Sequence, residues 1–343
     1  MSLLRGPALK EARVALAELS ARYLRLRPSK IADASLAGGL SGVALVHASL
    51  DDAFPGAGHA ACAEHALERA LEQLARAPLG PGLHSGLAGV GWVLANLVGG
   101  ADDEDDPCAA VDSALAGVLE PATWTDPYDL IEGLVGLGVY ALERAPRPAA
   151  KRLLARIVDH LGRTARHEPP GVAWWSDPEW VPPEWRTIPH PDWNLGVAHG
   201  VPGVIALLGR VVAADVDAPT RAKARRLLEG AVAWLLAQEL PLGAGGCFAH
   251  AVAPGLPRAP ARVAWCYGDP GIAAALLIAA RAAREPAWAQ AAIRVARSAA
   301  SRAEASTGVV DAGLCHGAAG VAHIFHRLSR ATDDARLADG RVD

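Results

Sequence analysis

Aromatic residues are scarce in this 343-residue chain: they make up 5%, with 3 Phe and 4 Tyr. Ala and Leu dominate instead, and both keep most of their side-chain freedom in a helix, so helix is favoured over strand. No several-residue alternation of apolar and polar positions recurs to argue otherwise. No apolar run reaches 18 residues, which excludes a sequence-evident spanning helix. No Gly-x-Gly-x-x-Gly and no Walker-type loop occurs, so no nucleotide site is expected. A net charge of −4 gives no bulk attraction to nucleic acid or anionic lipid. The 5 cysteines are an odd number for a disulfide framework. Residues 1–27 mix Arg and Glu throughout and read as an amphipathic helix rather than an export signal. A cytoplasmic, reducing location is therefore expected, where a special cysteine is more often reactive or metal-binding.

What is present is a repeat. Gly-x-x-Gly followed by an apolar run occurs six times, with first glycines at Gly39, Gly86, Gly133, Gly200, Gly268 and Gly317. The spacings are 47, 47, 67, 68 and 49, so a base period of 47 to 49 carries two longer intervals with roughly 20 extra residues each. Runs such as Val90–Leu97 and Ile272–Ala280 are apolar most of the way round, as buried helices are. Before the motifs lie helices charged on one face. Examples are 60–77 with Leu67, Leu71 and Leu74, 148–166 with Leu154, Ile157, Val158 and Leu161, and 219–238 with Leu227, Leu228, Val232 and Leu235. The unit reads as an outer amphipathic helix, a turn and an inner buried helix. The fold class expected is all-α, a single-domain α/α toroid over 1–343, with inserts at about 172–195 and 239–264.

In such a ring the inner helices run the same way, and their N-termini gather at one end. The two residues before each first glycine should then face one basin: Ala37-Gly38, His84-Ser85, Ile131-Glu132, Ala198-His199, Cys266-Tyr267 and Cys315-His316. Cys266, Cys315 and His316 offer two sulfurs and one imidazole, a set that suits Zn²⁺ and leaves a fourth position open. Coordination would supply a thiolate at neutral pH. Buried inert cysteines are the bland alternative. Two at matched repeat positions, one beside a histidine, argue against it. Cys62, Cys108 and Cys247 read as structural, and so does His84.

The segments Tyr128-Asp-Leu-Ile-Glu-Gly-Leu-Val-Gly136, Asn194-Leu-Gly-Val-Ala-His-Gly-Val-Pro-Gly203, Trp265-Cys-Tyr-Gly268 and Cys315-His-Gly317, in this order, resemble the lanthionine synthetase C-like family. That family includes the cyclases of class I lanthipeptide biosynthesis. The resemblance implies an α/α toroid with one zinc per chain on Cys266, Cys315 and His316. It implies Michael addition of peptide cysteine thiols to dehydroalanine or dehydrobutyrine, giving lanthionine-type thioether rings. It implies His199 as general acid or base and Asp129 as an active-site acid. Arg262 and Tyr267 are suited to stabilise enolate charge. Asp129 read alone also suits a helix N-cap for a run beginning near Leu130, and Arg262 an ordinary ion pair.

The implied partners are a dehydrated precursor peptide, a dehydratase and an exporter. A binder of peptide or dehydratase without turnover is the alternative. A glycosidase using Asp129 and Glu132 would leave the cysteines unexplained. The family toroid closes with seven helix pairs, and six are counted here, so the seventh is expected to be missing. The insert 172–195 holds five of the 10 tryptophans: Trp174, Trp175, Trp180, Trp185 and Trp193. It suits either a peptide-facing cover or packing over outer helices. The acidic run 102–106 reads as a solvated loop.

Overall fold

A computed structural model describes residues 6–98, 106–186, 188 and 191–338. Most of the acidic run and the last five residues of the polar tail lie outside the described residues. Packing divides the chain into two compact units, residues 1–117 and 118–343. Among the described residues no helix is long and apolar enough to cross a membrane.

The first unit carries α1 (Gly6–Tyr23), α2 (Leu40–Ala53), α3 (His59–Arg76), α4 (Leu87–Val98) and α5 (Ala109–Val118). Ala44, Ala66, Leu67, Val93, Leu94 and Cys108 form its core. Leu67 is buried as its stripe position requires, whereas Leu71 is 39% exposed. The α3 stripe is thus narrower than the sequence pattern suggests. Helix α1 forms, but Ser20 is its one buried residue among those described. Its hydroxyl meets His59 Nε2 at 2.7 Å, and His59 Nδ1 meets His47 Nδ1 at 2.8 Å. Both histidines are buried. A polar relay rather than an apolar seam therefore anchors α1.

The second unit carries α6 (Leu134–Glu143), α7 (Pro148–Thr164), α8 (Val201–Ala213), α9 (Ala218–Leu236), α10 (Asp269–Ala283), α11 (Pro286–Ala300), α12 (Ala318–Thr332) and the short α13 (Ala335–Ala338). Here α6, α8 and α10 are the apolar members, while α12 is amphipathic, with Val321, Ile324, Phe325 and Leu328 buried on one face. Helices α6, α8 and α10 each pack closely against the helix that follows, α7, α9 and α11 in turn. The connections are short, as between α10 and α11, where Arg284 and Glu285 alone intervene. The hairpin in space is therefore inner then outer, the reverse of the order in which the sequence unit was parsed. Long segments lead from each outer helix to the next inner one and leave room for inserts. On α7, Leu154, Ile157, Val158 and Leu161 are all fully buried, each worth ~1.5–3 kcal/mol of transfer free energy. Helices α8 and α10 approach closely at Gly209, where a Cβ would sit 3.2 Å from the Cα of Ala279.

The six glycine motifs share one backbone device. In each, the chain folds back so that a carbonyl six residues upstream lies over the first glycine. A Cβ on Gly133 would sit 2.1 Å from the Pro127 carbonyl oxygen, and one on Gly200 2.1 Å from that of Asn194. The second glycine repeats the constraint: a Cβ on Gly271 would sit 2.2 Å from the Trp265 oxygen. The same wrap satisfies helix N–H groups that would otherwise lack partners. Leu134 N donates to Pro127 O, Val135 N to Tyr128 O and Gly136 N to Asp129 O. Leu40 and Asp33, Leu87 and Gly80, and Ala318 and Asp311 are bonded in the same way. Close approach thus selects these glycines, and at Gly268 a φ of +153° adds a backbone conformation that other residues rarely adopt.

Among the described residues, four short strands fall outside the helical pattern. β1 (Arg166–Glu168) pairs antiparallel with β2 (Gly171–Ala173), and β3 (Trp193–Asn194) with β4 (Ala251–Val252). Two or three residues give too few alternations to show in sequence. The second pair joins the two inserts, with Trp193 opposite Val252. The later insert is further pinned by Asp269, whose carboxylate accepts from Cys247 N and Phe248 N.

Candidate active site

The turns before α6, α8, α10 and α12 are laced together by main-chain hydrogen bonds. Leu130 N donates to Ala198 O, Ala198 N to Cys266 O, and Cys266 N to Cys315 O. Ala198, Cys266 and Cys315 occupy the same position, two before the first glycine of their motifs. The lacing therefore sets residues from separate repeats side by side. In the first unit Ala37 N donates to His84 O in the equivalent way, a structural role for that turn.

One product is a cluster of donors. A sulfur of Cys266, a sulfur of Cys315 and a ring nitrogen of His316 all lie within 4.8 Å of one another. Tetrahedral zinc on sulfur and nitrogen places its ligand atoms roughly 3.5–3.8 Å apart. Small side-chain adjustments would close the set on a cation, and the two-sulfur, one-imidazole chemistry fits Zn²⁺. Cys266 is buried, Cys315 exposed and His316 between them. Burial and the hydrogen bond with Cys266 push the Cys315 thiol up to about 11, against the opposing pull of the nearby Arg262 cation. The Cys315 thiol would thus stay protonated at neutral pH, and a divalent cation is what would favour its thiolate.

Asp311 joins this cluster although sequence reasoning missed it. Its Oδ2 lies 3.3 Å from His316 Nε2, while its Oδ1 accepts from Gly313 N at 2.6 Å. Asp33 and Asn194 hold the equivalent site in their own repeats and accept from Ser35 N and Gly196 N. An Asp or Asn six residues before the motif glycine was the available signal.

A second group lies on the neighbouring turns. His199 Nδ1 meets Asp129 Oδ2 at 2.6 Å. Asp129 Oδ1 accepts from Ile131 N at 3.0 Å and Glu132 N at 2.8 Å. One Asp129 oxygen thus ties the turn and the other holds a histidine, but Asp129 is not a helix N-cap. Helix α6 itself starts at Leu134 with Gly133 as its N-cap, later than the run expected near Leu130. The Tyr267 ring stacks on His199 at 6.2 Å between centroids. Its hydroxyl accepts from Asn194 Nδ2, and burial raises its pKa, so the phenolic proton stays on. Tyr267 directly follows Cys266, and His199 directly follows Ala198, so the main-chain bond between Ala198 and Cys266 couples the two groups. Arg262 is exposed at the start of the segment leading to Cys266.

The remaining cysteines behave as supports. Cys108 is fully buried with its sulfur 3.6 Å from Gly91 O. Cys62 is half-buried on α3, and the half-buried Cys247 has its thiol pKa raised by burial.

Helix pairs repeated behind glycine turns define a helical toroid. The chain belongs to the lanthionine synthetase C-like protein family, whose profile matches residues 30–342. Among solved structures it is similar to a nisin cyclase, with a TM-score of 0.75 and 20% sequence identity over 96% of this chain and 83% of that one. That likeness places the fold in the α/α toroid class. No curated protein sequence matches significantly.

Proposed function

We propose that this chain is a zinc-dependent cyclase acting on a dehydrated peptide. It adds cysteine thiols to dehydroalanine or dehydrobutyrine and forms lanthionine-type thioether rings. The observation that carries this reading is the convergence of Cys266, Cys315 and His316 beside the hydrogen-bonded Asp129–His199 pair. Family membership supports it.

Cys266, Cys315 and His316 would hold the ion. A bound Zn²⁺ supplies Lewis acidity that lets a peptide thiol lose its proton at neutral pH. Asp129 fixes the His199 ring through Nδ1, leaving Nε2 to accept or return a proton. In the addition a new S–C bond forms at the β-carbon, and the π pair moves toward the α-carbon and carbonyl. Arg262 and the Tyr267 hydroxyl are suited to stabilise the resulting enolate charge. The proton taken from sulfur is balanced by one delivered to the α-carbon, so no external oxidant or reductant enters. Both Asp129 oxygens are engaged, which removes support for a carboxylate-pair glycosidase.

The test uses a synthetic peptide holding one dehydroalanine and one cysteine. Free thiol is scored by alkylation and mass measurement, with zinc content measured on the same protein. Loss of free thiol by the wild-type chain, abolished together with zinc binding in Cys266→Ala, is expected. An unchanged thiol count with one zinc per chain would sink the cyclase reading and leave the non-catalytic binder.

A further inference from the structure

A cleft of about 430 Å³ opens in the second unit between Trp124, Tyr128, Trp174, Trp175, Trp180 and Arg166. Its walls are built unequally. Trp174 is buried, with its indole N–H donated to Leu161 O at the end of α7, so it packs over an outer helix. Trp180 is 36% exposed and stands edge-on to Tyr128, with ring centroids 6.2 Å apart. The Arg166 guanidinium lies 3.8 Å over the centroid of Trp175, and among the described residues no ion pair engages it. The tryptophan insert thus divides its labour: one indole holds it down and another is left facing solvent.

The cleft lies next to the reacting groups along the chain. Tyr128, buried in its floor, precedes Asp129. The Tyr128 hydroxyl donates to Trp174 O at 3.2 Å and meets Ser176 Oγ at 3.3 Å. Ser176 Oγ in turn reaches the carbonyl of His199 at 3.5 Å. Floor and reaction pair therefore share one short hydrogen-bonded path.

We propose that this cleft is a substrate subsite, resting on the cyclase reading for its peptide. It receives an aromatic side chain of the linear precursor against Trp180 and Tyr128, with a neighbouring carboxylate directed to Arg166. Its volume falls within the roughly 300–1,000 Å³ of sites that hold small ligands, whereas a docked folded protein needs about 800 Å² of surface from each partner. Flat rings select a flat apolar group, and edge-on contacts with other rings are favourable. A guanidinium already stacked on an indole loses little freedom on meeting a carboxylate. Rings that close nearby would thus be those whose dehydro residue or cysteine lies close to an aromatic residue in the peptide.

The experiment compares two synthetic peptides, each with one dehydroalanine and one cysteine. One carries Phe-Glu and the other Gly-Gln next to the reacting residues. Dissociation constants are measured by calorimetry on the full chain, and KM is measured where turnover occurs. Wild type should bind the Phe-Glu peptide more tightly. Trp180→Ala should weaken that binding about threefold to tenfold, leave the Gly-Gln peptide unaffected and leave zinc content unchanged. Arg166→Gln should narrow the preference for Glu over Gln, a second reading should Trp180→Ala fail to fold. Equal binding of the two peptides by wild type would overturn the subsite. So would an equal loss for both peptides in the variants, or a self-association of the chain that Trp180→Ala abolishes. Because binding is read without turnover, a chain that binds selectively yet leaves thiols intact would defeat the cyclase reading and keep the subsite.

Discussion

Replacing Asp129 by asparagine separates its two jobs. One oxygen ties the turn before α6 through Ile131 N and Glu132 N, and the other meets His199 Nδ1 at 2.6 Å. An asparagine keeps an oxygen for the turn, so the fold should lose no more than about 1 kcal/mol, the scale of a lost cap. Toward His199, however, it presents an amide N–H₂. Nδ1 must then accept, and the ring proton moves to Nε2, the atom expected to take or return a proton. A histidine held in the wrong tautomer costs on the order of 10²–10⁴ in turnover. Asp129→Ala removes both functions and strips two main-chain N–H groups of their partner, adding ~1–2 kcal/mol of destabilisation. The assay is thiol loss from a dehydrated peptide, followed beside thermal melting and zinc content. The two variants should lose turnover alike, while only alanine lowers the melting temperature strongly. Wild-type turnover in Asp129→Asn, with zinc retained, would refute the role given to the pair.

Asp311→Asn should weaken zinc binding about 10- to 100-fold, as measured by chelator competition, because it removes the carboxylate beside a proposed ligand ring. Gly133→Ala drives a Cβ to 2.1 Å from a main-chain oxygen and should cost at least ~1–3 kcal/mol in a denaturant titration, while Gly117→Ala, which meets nothing within 4 Å, should not destabilise. The buried relay of Ser20, His59 and His47 should make the first unit acid-sensitive. Burial first, then the neighbouring His59, hold His47 below the ordinary histidine value of 6.5. The unfolded chain therefore binds the proton first, so this contribution is complete above about pH 6.5 and declines as pH falls below it. Melting temperature should drop between pH 7 and pH 5, and His47→Asn should flatten that slope. An unchanged slope would show that the histidine pair is not the source.

The helical plan was legible because period and apolar pattern are local. Outer helices at 60–77, 148–166 and 219–238 are observed at His59–Arg76, Pro148–Thr164 and Ala218–Leu236. Cys266, Cys315 and His316 could be gathered on paper because matched places in a repeat become neighbours when the repeat closes on itself. Asp311 escaped because its carboxylate reaches the ring of His316 across a turn whose shape is not written in residue types. The pairing of β3 with β4 escaped for a different reason: it joins two inserts, and nothing periodic links Trp193 to Val252. The polar anchor of α1 was hidden by a helix whose charged and apolar residues looked sufficient by themselves, although the contact is made by a serine.

Helix starts secured by carbonyls of their own chain leave the neighbouring side chains unconscripted. Ile131, Ala198, Cys266 and Cys315 hold corresponding places, yet range from inert hydrocarbon to soft nucleophile. The scaffold therefore tolerates a change of chemistry at any of these places without renegotiating how its helices begin. A third imidazole introduced at Ile131 would be a first step toward a different catalyst built on the same ring of turns.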